Sequence, residues 1–127
     1  MKILLCSVSL ILIGLVTQPV FGQQTFYKTY GHTSQGGEGR TITETSDGGY
    51  YFTYYIFTSG RPIACVTKLN CAGDKEWEQF FDNGIYTLPV ELIPQDDKGS
   101  LILLKIKNNS DKWEAVVMKL DSVGNTQ

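Results

Sequence analysis

Histidine is nearly missing from this chain: His32 is the only one among 127 residues. A hydrolase triad needs an imidazole to take the nucleophile's proton, so His32 would have to carry such chemistry alone. It lies in Gly31-His32-Thr33-Ser34-Gln35-Gly36-Gly37, a glycine-rich loop without phosphate-loop spacing or its lysine, and it reads as a solvated loop residue. Cysteine is scarce too, with three. Cys6 sits in the N-terminal apolar run, which leaves Cys65 and Cys71. One histidine and two cysteines at this spacing do not make a zinc set. If the segment around 63–69 is extended, the pair lies beyond the ~4.4–6.8 Å between Cα atoms that a bridge requires. The expectation is no disulfide, no metal, no cofactor and no catalytic residue. Basic residues form no stripe, which argues against nucleic acid or anionic lipid as partner. Nor does any stretch after the N-terminal segment show a helical period of about 3.6 residues.

The N-terminus reads as an export signal. Lys2 is followed by an almost wholly apolar run from Ile3 to Val16, ended by Gln18 and Pro19 short of the ~20 residues of a membrane span. Val20-Phe21-Gly22 then sets up cleavage between Gly22 and Gln23. Residues 1–22 are therefore expected to be removed, leaving 23–127 as a secreted or cell-surface chain with no membrane segment. Losing Lys2 leaves 10 basic against 13 acidic side chains, a net charge of about −3.

What is present is self-similarity. Ala64-Cys65-Val66-Thr67-Lys68-Leu69-Asn70-Cys71-Ala72-Gly73-Asp74 aligns with Ala115-Val116-Val117-Met118-Lys119-Leu120-Asp121-Ser122-Val123-Gly124-Asn125 at a shift of 51. Asp47-Gly48-Gly49-Tyr50 aligns with Asp97-Lys98-Gly99-Ser100 at 50, so one residue is gained in the loop between. Trp77-Glu78-Gln79-Phe80-Phe81-Asp82 matches Phe26-Tyr27-Lys28-Thr29-Tyr30-Gly31, again at 51. Two copies result, about 26–76 and 77–127. Cys65 falls where the second copy has Val116, the place of a small buried hydrophobe.

Alternation makes these copies β. Phe52, Tyr54 and Ile56 match Ile102, Leu104 and Ile106, apolar at every second residue in both, and this face is expected to be core. The opposite face starts apolar at Tyr51 and Leu101, then ends at Tyr55 and Phe57 in one copy and Lys105 and Lys107 in the other. Four strands per copy are expected: 26–30, 40–45, 50–58 and 63–69, then 76–81, 89–93, 101–107 and 113–120. Asp-Gly-Gly at 47–49 and the aspartate-glycine turn at 97–99 read as hairpins.

Four antiparallel strands in about 50 residues is the size of a β-propeller blade. Asp47-Gly48-Gly49-Tyr50, Lys119-Leu120-Asp121 with Gly124-Asn125, and Lys28-Thr29-Tyr30-Gly31 resemble the blade signature of secreted bacterial and archaeal β-propeller-like repeat proteins. The resemblance covers residues 26–127 and departs from the signature at Asn70, Asp82, Lys98 and Ser100. It implies an all-β fold of two four-stranded antiparallel sheets as blades of an incomplete propeller. Two blades leave two outer faces open, whereas repeat arrays usually need three or more units. Further repeats or self-association are therefore expected, the chain being read as a fragment of a longer propeller or as a unit that closes a ring with copies of itself.

The remaining chemical candidates are weak. Asp96 and Asp97 are adjacent and read as turn formers, not as the spaced carboxylate pair of a glycosidase. Asp121 to Asn125 gathers oxygen ligands beside a glycine but lacks the distant bidentate glutamate of a calcium loop. Tyr55 and Phe57 are the rings expected to be exposed, and so the candidate ligand residues. The expected function is that of an exported, non-catalytic repeat scaffold for a protein or glycan partner. The alternatives are a lectin-like carbohydrate-binding module, or a piece of a secreted propeller enzyme whose active site lies elsewhere.

Overall fold

The computed structural model describes residues 25–31 and 36–127. The signal segment, the Gly22–Gln23 junction and His32 lie outside the described residues. Every named element within them is a strand, so the chain is all-β. Strands β1 (Gly37–Glu44), β2 (Tyr50–Thr58), β3 (Arg61–Leu69) and β4 (Lys75–Phe81) form one open antiparallel sheet in chain order. Strands β5 (Tyr86–Pro94), β6 (Ser100–Lys107) and β7 (Trp113–Leu120) form a second.

This differs from two sheets of four. The second sheet has three strands, and 76–81, expected to open the second copy, is paired to β3 in the first sheet. Residues 26–30, also expected as a strand, belong to no strand of either sheet. The reason is local: the turn after Leu69 is tight, so β4 folds straight back on β3, and the sheet boundary falls one strand later than the sequence copy boundary.

The turns explain the register. Thr45 N–H bonds Gly49 O at 2.9 Å and Gly48 N–H bonds Thr45 O at 2.9 Å; Gln95, Gly99 and Lys98 make the same pair at 2.9 and 3.1 Å. Asp47 accepts Gly49 N–H at 3.1 Å, and Asp97 accepts Gly99 N–H at 3.0 Å, the self-bonding that favours aspartate in turns. Asn70 Oδ1 takes the amides of Ala72 and Asp74, as Asp121 Oδ1 takes those of Val123 and Asn125. Even the irregularities coincide, since pairing shifts between Gly39 and Thr41 on β1 and between Pro89 and Glu91 on β5. A bulge beside Pro89 accommodates a residue that cannot donate to the ladder. The β2–β3 hairpin turns on Ser59 and Gly60, both at positive φ, the two-residue turn whose twist suits paired strands.

The main core lies between the sheets, where β5 crosses β1, β2 and β3. Tyr51, Ala64, Val66 and Phe81 from the first sheet meet Leu92, Ile102, Leu104 and Ile106 from the second. Each fully buried aliphatic contributes about 1.5–3 kcal/mol of burial. In the second sheet the predicted core face is therefore correct. In the first sheet Phe52, Tyr54 and Ile56 turn the other way and form a separate cluster with Cys65 and Ile63. Both faces of β2 are apolar because both are covered at least in part, which is why Tyr51 is only 1% exposed.

Candidate binding surfaces

Tyr55 and Phe57, the rings singled out in the sequence, lie at the far end of β2. Their centroids are 5.5 Å apart, edge to face. Phe57 is 43% exposed. Tyr55 is less available: its hydroxyl donates to Glu38 Oε2 at 2.9 Å, and the Arg40 guanidinium lies 5.2 Å from its ring centroid. The hydrogen bond to Glu38 holds the Tyr55 phenol above its ordinary range. A sugar ring stacks on an open aromatic face. Here the guanidinium already lies over Tyr55, so Phe57 offers the open ring.

A polar cleft of about 80 Å³ lies between the two equivalent hairpin turns, lined by Asp47, Tyr51, Lys68, Asp96 and Lys98. Lys68, whose side chain is 6% exposed, reaches Asp47 and Glu76, each at 3.2 Å. Its ammonium also donates to Leu69 O at 3.1 Å and lies 5.8 Å from the Tyr51 ring centroid. Tyr51 in turn donates to Lys98 O at 2.9 Å, tying the sheets together. Asp47 is held down to about 2 by the Thr45 hydroxyl, against its partial burial, with help from the Gly49 amide and Lys68. Lys119 and Asp97 repeat the pair at 2.9 Å on the open side of the second sheet. The cleft is far below the ~300 Å³ at which small-molecule pockets begin, and within it Lys68 is paired with Asp47 and Glu76. It is turn architecture.

A third polar group escaped the sequence reading. Glu78 accepts Tyr54 OH at 2.6 Å and Thr67 Oγ1 at 3.0 Å, and Lys75 Nζ lies 2.9 Å from its other oxygen. Burial works against the Glu78 charge, yet the bonds from Tyr54, Lys75 and Thr67 leave its carboxyl below the usual range. Burial pushes the neighbouring Cys65 thiol up to about 12, with Glu78 adding to the shift. A thiol held protonated is no nucleophile. Tyr54 was legible only as a core residue, because nothing in the alternation says that a carboxylate from β4 will meet its hydroxyl.

The other candidates resolve plainly. Cys65 is buried and Cys71 exposed, and both are free thiols. Asp96 is exposed, and Asp97 pairs with Lys119 at 2.9 Å. Asp121 Oδ1 is engaged by the Val123 and Asn125 amides and Oδ2 by the Asn125 side chain at 3.1 Å. Among the described residues no group of three or more His, Cys, Asp or Glu is placed to hold a metal. Again among the described residues, no helix is long and apolar enough to cross a membrane.

Among the described residues, the outer side of the second sheet carries a run of exposed apolar side chains. Val117 is 66% exposed, Ile93 52%, Trp113 47% and Val90 45%. A groove of about 300 Å³ runs past Val90, Leu103, Lys105, Trp113 and Ala115, and a second of about 200 Å³ past Ile93, Leu101 and Val117. Lys105 Nζ lies 4.4 Å from the Trp113 centroid, a cation laid over an exposed ring. Comparison with protein-family models, with curated proteins and with solved structures gives no match. The functional reading therefore rests on geometry.

Proposed function

We propose that the chain is exported through its N-terminal signal, cut between Gly22 and Gln23, and acts at the cell surface or in the medium as a non-catalytic β-propeller-type scaffold. The observation that carries the reading is the stacking of two antiparallel sheets whose turns and bulges recur at offsets of 50 and 51 residues. In this reading each sheet is a blade, and the second blade's fourth strand is the missing piece. The buried polar groups described above serve turns and core, and each has partners of its own, so none is poised to transfer a proton or attack a substrate. The working part of the molecule is then its broad apolar surface, which suits a macromolecular partner.

The test is expression of the full gene in a bacterial host, followed by fractionation and intact-mass measurement. A mature chain beginning at Gln23 outside the cytoplasm, inactive on chromogenic glycoside and ester panels, is the expected result. An uncut chain held in the cytoplasm, or turnover that survives purification, would sink the proposal.

The exposed ring of Phe57 beside Tyr55, Glu38 and Arg40 favours a second reading, a lectin-like site. Glycan-array binding abolished by Phe57→Ala would replace the scaffold reading. Absence of signal on the array would remove the lectin.

A further inference from the structure

We infer that Asn83 is a site of spontaneous covalent modification: the main-chain nitrogen of Gly84 attacks the Asn83 side-chain amide, and water opens the ring so formed to aspartyl and isoaspartyl products. The site lies where the chain passes from β4 to β5, at the joint between the two sheets.

The joint is built around one arginine. Arg61, at the start of β3, donates to both carboxylate oxygens of Asp82 at 2.7 Å and to Gly84 O at 2.8 Å. Gly84 is pressed against β6: a Cβ there would lie 2.6 Å from Lys107 O and 2.7 Å from Ile106 Cγ2, which a side chain does not tolerate. The next residue, Ile85, donates its N–H to Lys107 O at 2.9 Å. Asn83 is thus exposed between two anchored neighbours, and the residue after it has no side chain to shield its nitrogen. The close approach to β6 demands glycine at 84, and that demand creates the asparagine-glycine pair, which occurs once in the chain. Among the described residues, no hydrogen bond engages the Asn83 side-chain amide or the Gly84 N–H. Asn83 is held through its own N–H, which donates to Thr87 Oγ1 at 3.1 Å.

Each of the other asparagines is engaged. Asn70 Oδ1 accepts the amides of Ala72 and Asp74 at 2.9 and 2.8 Å. Asn108 Oδ1 accepts those of Ser110 and Lys112 at 2.9 and 3.1 Å, and its Nδ2 donates to Glu114 at 2.5 Å. The nitrogen that would attack Asn109 belongs to Ser110, and its N–H is the one given to Asn108. Asn125 Nδ2 donates to Asp121 Oδ2 at 3.1 Å, and the residue after it is the β-branched Thr126. Asparagine is a thermolabile residue in general, and here the fold leaves one of five unprotected.

The chemistry balances with water alone. Base removes the Gly84 N–H proton, the nitrogen bonds to Asn83 Cγ, and the bond from Cγ to the side-chain nitrogen breaks, releasing ammonia. Attacker and target are adjacent in one chain, so the step is unimolecular. Water then opens the five-membered imide. Addition at Cγ restores the main chain with an aspartate, whereas addition at the Asn83 carbonyl carbon routes the main chain through Cβ and leaves a pendant carboxylate. The second product lengthens by one carbon the stretch between Asp82 and Gly84, the two residues Arg61 holds.

The full-length chain, incubated warm at mildly alkaline pH and digested with trypsin, provides the test. The peptide Glu76–Lys98 should split into two products, each one dalton heavier than the parent, with the isoaspartyl linkage located at 83 by electron-transfer fragmentation. Conversion should run ahead of every other asparagine and accelerate with rising pH, because the attacking nitrogen must lose its proton. Asn83→Gln, which must close a larger ring, should lose the heavier products completely. An unchanged peptide in the folded chain beside a converted one in urea would show that the fold locks the joint and would overturn the inference. So would aspartate alone without the isoaspartyl form, or earlier conversion at Asn109. None of these outcomes bears on where the mature chain begins or whether it turns over a substrate, so the scaffold reading stands or falls separately.

Discussion

At the scale of single residues, the groups that matter are buried or locked into turns, and their titration has a definite sign. The Asp47 carboxyl, held to about 2, lies below the ~3.9 of an unfolded aspartate. Its contribution to stability is complete above about pH 4 and disappears as pH falls through about 2. Asp47→Asn should therefore reduce the acid-side slope of urea midpoint against pH; an unchanged slope would assign the acid sensitivity to Asp97, Asp121 and Glu78, also held low. The thiols differ just as clearly. With its value pushed up to about 12 by burial, Cys65 should resist iodoacetamide at neutral pH until denaturant is added, while exposed Cys71 labels at once. Peptide mass spectrometry reads both. Cys65 was legible in the sequence because Val116 fills its place in the second copy. The Glu78–Tyr54 bond was not, since it joins strands whose pairing only the fold decides.

At the scale of elements, the turns set the strands and the strands were the most legible part of the chain. Lys98 occupies the place of Gly48 and takes φ 63° where the glycine takes 77°. Left-handed strain less the extra chain entropy of glycine makes Lys98→Gly stabilising by about 0.5–1 kcal/mol, measurable as a raised denaturation midpoint. Gly124→Ala should act in the opposite sense by about 1–3 kcal/mol, because its φ is 87° and the new methyl would meet the Trp77 ring. Hydrogen exchange at the β4 amides would report that loosening; unchanged protection there would show that Trp77 does not anchor the strand. Alternation at 52–56 and 102–106 marked both strands in the sequence. It could not show that the first set would turn away from the second sheet, because both faces of β2 are apolar and no local rule chooses between them.

At the scale of the molecule, two sheets share one core and the second sheet keeps an apolar outer face. Leu104 is fully buried between them, so Leu104→Ala should cost about 2–5 kcal/mol and lower the melting temperature of the whole chain in one transition. Two separate transitions would mean that the sheets fold independently. Among the candidate site residues, Phe57 is exposed as the sequence suggested, while Tyr55 is tied to Glu38 and overlain by Arg40.

The sequence by itself determined that the regular elements of the described part are all strands, where its hairpins turn, and which residues of the second sheet are core. Period-two alternation and turn chemistry act over a few residues and are written directly in the order of side chains. Only the tertiary structure decided which sheet 76–81 joins, that the second sheet holds three strands, and which side of the first sheet receives it. Those outcomes depend on pairing and stacking between segments tens of residues apart, where several arrangements bury similar apolar surface and the contacts of the whole assembly choose one.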